Sequence, residues 1–166
     1  MSQPELPDRT STVVSGLPVN VPLKLASLAA GIPILFLRQE LGSEALIVFL
    51  TLLFYLGPYL LIGFAPPLKR PFQVGFAAGY AFAMSVALVI YFVARSLGSP
   101  TSAAIVSSYG SGLLLNFALL TIAVITWIRL RKKIDNGATF SMLLAGLGYP
   151  FIAFVVSLIL GNLFFP

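Results

Sequence analysis

The sequence predicts an all-α fold, a polytopic transmembrane helical bundle, from its composition and from the spacing of its charges. Of the 166 residues, 58% are hydrophobic and 9% are charged, whereas about 25% of the residues in soluble domains are charged. Charged side chains are absent from residues 45–68, 71–94, 96–128 and 136–166. Because a helix needs about 20 apolar residues to cross a hydrocarbon core of about 30 Å, each of these stretches predicts a membrane-spanning helix.

A further helix is predicted over residues 21–37, although its length leaves the crossing open. The segment would span about 26 Å at 1.5 Å per residue; Lys24 lies one turn from its start and Pro33 lies inside it. A lysine near a helix end can extend to the headgroups, and transmembrane helices tolerate proline. The alternative is an interfacial or re-entrant segment, which would leave four spanning helices instead of five.

The distribution of positive charge favours five crossings. With four helices the Lys and Arg residues divide four against six between the two sides, and with five helices they divide eight against two. Cytoplasmic loops carry an excess of Lys and Arg, so the uneven division predicts a cytoplasmic N-terminus and a C-terminus outside. Arg38 and Arg95 are then the outer cations. The cytoplasmic group is Arg9, Lys24, Lys69, Arg70, Arg129, Arg131, Lys132 and Lys133.

The organisation that follows is a short tail and one helical domain. Residues 1–20 are polar and contain Pro4, Pro7 and Pro18, so we expect a flexible cytoplasmic tail. No small-residue cleavage site follows the apolar run, so a signal peptide is not expected. Residues 21–166 form a single transmembrane domain, whose remaining helices are predicted over residues 45–64, over 72–94, from between 102 and 112 to about 128, and from about 139 almost to the chain end.

Small residues recur every four positions on the predicted third and fifth helices. They are Gly75, Gly79, Ala83 and Ala87 on the third helix and Ala153, Ser157 and Gly161 on the fifth. Such spacing lines one face with small side chains and lets another backbone approach closely. The partner is either another helix of this chain, which is the interpretation we favour, or a helix of another protein.

A candidate ligand site lies near the middle of the predicted helices. Its residues are Tyr55, Tyr59, Asn116 and Tyr149, beside Gly57, Pro58, Gly148 and Pro150. Helices broken by Gly and Pro at the bilayer midplane are where transporters place their substrates. The alternative, which we favour, is that the prolines only shape the bundle and that Asn116 forms an interhelical hydrogen bond, worth about 0.6 kcal/mol.

Positive charges follow the predicted fourth helix as Arg129, Arg131, Lys132 and Lys133. Cations beside a membrane attract anionic lipid at about 1 kcal/mol each. A run of this kind also determines topology, and the sequence alone favours that simpler role.

Catalytic and cofactor chemistry has little support. The chain contains no Cys and no His, which removes thiolate metal sites, thiol nucleophiles and the usual haem ligand. The predicted membrane interior lacks the ionisable side chains that mark proton relays. The cations flank apolar runs, so they do not indicate a nucleic-acid partner. We therefore expect a protein that is not an enzyme and that binds no metal, cofactor or nucleic acid.

Two functional classes remain. The first is a non-catalytic accessory or assembly subunit, whose partners are the transmembrane helices of a membrane complex or further copies of the chain in a homo-oligomer. The second is a small transporter or channel with a midplane Gly/Pro/Tyr site. In both cases the chain is surrounded by the lipid bilayer, and the expected location is the plasma (inner) membrane of a prokaryote.

Overall fold

The computed structural model describes residues 20–37, 45–64, 72–98 and 102–164, and within these residues the chain is all-helical. The predicted five-helix bundle is confirmed. Its helices are α1 (Asn20–Leu37), α2 (Ala45–Phe64), α3 (Ala77–Gly98), α4 (Ala103–Leu130) and α5 (Asn136–Phe164), with a π-helical turn (Phe72–Phe76) leading into α3. Residues 1–19 of the predicted N-terminal tail and the outer cation Arg38 lie outside the described residues, whereas Asn20 is the first residue of α1.

Local capping explains where the helices differ from the predicted ranges. Helix α4 begins at Ala103 because the Ser102 hydroxyl accepts a hydrogen bond from the Ile105 backbone N–H at 3.3 Å, which makes Ser102 the N-cap. Helix α5 begins at Asn136, before the predicted residue 139, because the Asp135 carboxylate accepts from the next turn. Helix α3 continues past residue 94 to Gly98, and Arg95 lies in its last turn, where a cation is favourable.

Three of the described helical segments are long and apolar enough to cross a membrane. They are Gln73–Gly98, Ala103–Leu130 and Asn136–Leu163, and shorter apolar stretches cover Val21–Leu35 and Leu50–Gly63. Large apolar side chains face outward, as Leu114 and Phe151 do with 72% of their surface exposed. Such a surface suits lipid and not water, so the chain is a membrane-embedded helical bundle.

The helices of the described part close into a ring. Helix α1 packs against α2 and α4, helix α5 packs against α2 and α3, and α3 packs against α4. The order around the ring is therefore α1, α2, α5, α3, α4, and α3 separates the consecutive helices α4 and α5. The interior is filled by Tyr59, Ile62, Tyr80 and Leu119, each with 0% of its surface exposed.

Candidate functional site

The glycines of the predicted α3 face lie against the backbone of α5. A Cβ atom added at Gly75 would meet the Thr139 carbonyl oxygen, and one added at Gly79 would meet the Leu143 carbonyl oxygen and lie 2.9 Å from the Leu147 nitrogen. Both contacts advance along the two helices in the same direction, so α3 and α5 run parallel. The Cα–H groups of the glycines thus face carbonyl oxygens, a weak hydrogen-bond geometry that recurs where helices cross closely.

Gly146 completes this crossing from the α5 side. A Cβ atom there would meet the Phe76 carbonyl oxygen and lie 2.8 Å from the Tyr80 nitrogen. Sequence reasoning missed Gly146 because it followed the four-residue spacing of small residues only from Ala153 onward. The i, i+4, i+7 pattern of Gly146, Pro150 and Ala153, all of which are buried, is the signal that could have found it.

The remaining small residues are less uniformly buried. On α3, Ala83 is half-buried and Ala87 is exposed. On α5, Ala153 and Gly161 are buried, and the half-buried Ser157 donates its hydroxyl hydrogen to the Ala153 carbonyl oxygen at 2.7 Å. The predicted α3 face therefore contacts protein over its first half and turns outward at Ala87.

Two of the candidate ligand residues meet in the interior of the ring. The Tyr59 hydroxyl donates to Asn116 Oδ1 at 2.9 Å, and Asn116 Nδ2 donates to the Gly112 carbonyl oxygen at 2.8 Å. Tyr59 is 0% exposed and Asn116 is 1% exposed. Because α2 and α4 are not neighbours in the ring, this hydrogen bond crosses its interior.

Tyr80 makes a second link across the ring. Its hydroxyl donates to the backbone carbonyl oxygen of Tyr55 on α2. Pro58 has no N–H, and its ring crowds the preceding turn, which weakens the helical hydrogen bonds there. Tyr80 supplies a donor to that turn. Sequence reasoning missed Tyr80; its position directly after the close-contact residue Gly79 is the one signal that pointed to it.

Aromatic contacts join these residues to α5. The Tyr80 ring lies edge-on to Tyr59, with centroids 4.9 Å apart, and edge-on to Tyr149 at 5.8 Å. Phe76 also lies edge-on to Tyr149 at 5.8 Å. Edge-to-face pairs at this spacing are favourable. We refer to the connected set as the tyrosine–asparagine core, which consists of Tyr55, Tyr59, Tyr80, Asn116 and Tyr149.

The Gly and Pro residues of the candidate ligand site divide into two groups. Pro58 and Pro150 are buried, whereas a Cβ atom added at Gly57 or Gly148 would meet no atom within 4 Å. Helices α2 and α5 both continue through their prolines without interruption. The discontinuous helices that form substrate sites in many transporters are therefore not formed here.

The cations of the candidate lipid site lie together at one end of the bundle. Arg129 occupies the last turn of α4, and Arg131, Lys132 and Lys133 form the turn that follows. All four are exposed. Among the residues that the structure describes, no three His, Cys, Asp or Glu side chains come together as metal ligands.

No protein-family model, curated protein or solved structure matches the chain. Function must therefore be inferred from the chemistry of the described side chains. In the tyrosine–asparagine core, the hydroxyls of Tyr59 and Tyr80 and both polar atoms of Asn116 have partners within the chain. This chemistry holds helices together.

Proposed function

We propose that the chain is a non-catalytic integral membrane protein, an accessory or assembly subunit that packs its helices within a membrane complex. The observation that carries the proposal is the interior of the ring, where Tyr59, Tyr80 and Asn116 are buried and hydrogen-bonded to other parts of the same chain. A pathway for a solute needs polar atoms that replace the water around that solute. The hydroxyls of Tyr59 and Tyr80 and both polar atoms of Asn116 already have partners within the chain.

An exposed surface on the first half of α4 supports a partner in the membrane. Ala103, Ser107, Gly110 and Ser111 are exposed there, and a Cβ atom at Gly110 would meet no atom within 4 Å. Small residues let transmembrane helices approach closely. The proposed partner is a transmembrane helix of another protein, and a second copy of this chain is the alternative.

Purification of the tagged full chain from its native membranes in mild detergent tests this proposal. We expect at least one other integral membrane protein to co-purify in fixed stoichiometry. The Gly110→Leu variant should lose that partner, because a leucine side chain fills the open face. The matched control is Gly148→Leu, which changes a half-buried glycine on α5 where an added Cβ atom also meets no atom within 4 Å, and it should retain the partner. A wild-type chain that elutes alone as a monomer contradicts the proposal.

We further propose a cytoplasmic N-terminus and an outer C-terminus, in the plasma (inner) membrane of a prokaryote. Arg95 lies at the end of the bundle where α3 ends. The cations at the opposite end, where α1 begins and α4 ends, are Lys24, Arg129, Arg131, Lys132 and Lys133. The excess of Lys and Arg that is typical of cytoplasmic ends supports this orientation.

A small transporter or channel is the second candidate, because three candidate ligand residues are linked in the interior of the ring: Tyr59 hydrogen-bonds Asn116, and Tyr80 contacts both Tyr59 and Tyr149. The Asn116→Leu variant separates the two functions. If the core binds a solute, this variant should fold and lose transport. If the chain is a subunit, the Asn116→Leu variant should co-purify with the partner at the wild-type level. Proteoliposomes of the wild-type chain should then be no more permeable to K⁺ or protons than empty liposomes.

A further inference from the structure

The turn between α4 and α5 is held in place at both of its ends. The Lys133 backbone N–H donates to the Leu130 carbonyl oxygen at 2.7 Å, and Trp127 Nε1 donates to Asn136 Oδ1 at 3.3 Å. These hydrogen bonds tie the last turn of α4 to the first residue of α5. They hold the backbone that carries four exposed cations, which we name the basic turn: Arg129, Arg131, Lys132 and Lys133.

The described part of the chain contains one carboxylate against the four cations of the basic turn. Its one acidic residue is Asp135. Oδ1 of Asp135 accepts hydrogen bonds from the backbone N–H groups of Gly137 at 2.8 Å and Ala138 at 3.3 Å. This carboxylate caps α5 and offsets one positive charge, so the basic turn keeps an excess of three positive charges for an anion from outside the described chain.

The side chains on α4 place the basic turn at the depth of lipid headgroups. Val124 and Ile128 are exposed apolar residues that suit the hydrocarbon, and Trp127, 39% exposed, suits the interface. Arg131 follows about 6 Å beyond Trp127 at 1.5 Å per residue. The polar layer on each side of the hydrocarbon is about 5–7 Å thick. On α5, the exposed Phe140 repeats the apolar layer one turn from the helix start.

We propose that the basic turn binds the headgroup phosphate of an anionic phospholipid whose acyl chains lie against Trp127. Arg131 lies four residues after Trp127 and therefore on the same face of α4. Its guanidinium group presents paired donors that match phosphate oxygens, and Arg129 and the lysines add positive charge. A free anion would contact only the cations, whereas the acyl chains of a lipid would also contact the exposed apolar surface of α4. A run of charge that serves only to orient the chain during insertion would select no particular lipid afterwards.

Trp127 is the single tryptophan of the chain, so its fluorescence reports which lipid lies beside the basic turn. The full chain is reconstituted in nanodiscs of phosphatidylcholine and phosphatidylglycerol, with bromine on the acyl chains of one lipid at a time. Quenching by brominated phosphatidylglycerol should show that this lipid is enriched beside Trp127 by at least about fivefold over its fraction in the whole nanodisc. A fivefold enrichment corresponds to about 1 kcal/mol, which is the contribution of one cation. About 1 M NaCl should reduce the enrichment, because salt screens charge.

Matched variants show whether the basic turn causes the enrichment. Lys132→Gln and Lys24→Gln each remove one cation from the same end of the bundle, and only Lys132→Gln should lower the enrichment of phosphatidylglycerol beside Trp127. Replacing all four residues of the basic turn with Gln should lower it to about one. Nanodiscs expose both faces, so a variant that inserts in the opposite orientation is still measured correctly.

Three results would overturn the proposal. The first is equal quenching by the two brominated lipids around the wild-type chain, which leaves the basic turn as a topology signal only. The second is an enrichment that survives neutralisation of the basic turn. The third is loss of the enrichment when inorganic phosphate replaces chloride at constant ionic strength, which would assign the cations to a free phosphate.

Discussion

Replacing Gly79 with alanine should destabilise the bundle, although alanine is the better helix former. The added Cβ atom would meet the Leu143 carbonyl oxygen and would lie 2.9 Å from the Leu147 nitrogen. Both atoms belong to the backbone of α5, so no side-chain rotation relieves the overlap. Helix α5 must move away from α3 to accommodate a single methyl group.

The size of the effect follows from three contributions. Alanine gains about 1 kcal/mol of helix propensity over glycine. Overpacking costs about 1–3 kcal/mol, and a clash with rigid backbone belongs at the upper end of that range. The lost Cα–H contact to the Leu143 carbonyl oxygen removes about 0.5–1 kcal/mol. We therefore expect Gly79→Ala to lower the free energy of unfolding by about 2.5–3 kcal/mol.

Gly148→Ala is the matched control, because a Cβ atom there meets no atom within 4 Å. It should raise the free energy of unfolding by up to about 1 kcal/mol through helix propensity. Both variants are measured by titration with sodium dodecyl sulfate in mixed micelles, followed by circular dichroism. A Gly79→Ala variant that is as stable as Gly148→Ala would refute the close crossing of α3 and α5.

Three further substitutions test other parts of the fold by the same titration. Tyr80→Phe removes the hydrogen bond to α2 and should lower the free energy of unfolding by less than about 2 kcal/mol, since interhelical hydrogen bonds in lipid are individually weak. The control Tyr91→Phe changes an exposed tyrosine and should leave the free energy of unfolding unchanged. Equal losses of stability in the two variants would exclude a stabilising hydrogen bond between Tyr80 and α2. Asn116→Leu should also lower the free energy of unfolding by less than about 2 kcal/mol. A completely unfolded variant would show that the hydrogen bond between Tyr59 and Asn116 contributes more than this. Asp135→Ala should cost about 1 kcal/mol as a lost N-cap and speed amide hydrogen exchange at Gly137; unchanged exchange would argue against the cap.

The positions of the helices were predictable because burying a charged side chain in lipid is energetically unfavourable. The charge-free stretch that begins at residue 45 predicted α2 with the bounds that the structure shows. Helix ends were less predictable, because they depend on single side chains. The start of α5 depends on the Asp135 carboxylate, and the start of α4 on the Ser102 hydroxyl. The π-helical turn before α3 had no sequence signal.

The arrangement of the ring was not predictable, because a spacing of small residues shows that a backbone approaches without showing which one. Gly75 and Gly79 could have faced α2, α4 or another protein as well as α5. The hydrogen bond between Tyr59 and Asn116 joins residues 57 positions apart, and no local pattern relates them. The same holds for Tyr80, whose partner is a backbone carbonyl oxygen, a group that every residue carries.

Single introduced cysteines give the most direct test of the central prediction, that all five helices of the ring cross the membrane. The chain has no cysteine, so Ser2→Cys, Gly98→Cys, Lys132→Cys and Leu163→Cys each carry one thiol. With a membrane-impermeant maleimide on intact cells, we predict labelling at residues 98 and 163 only, and labelling at residues 2 and 132 only after the membrane is opened. Labelling of residue 2 together with residue 98 on intact cells would show that α1 does not cross, and would contradict the account.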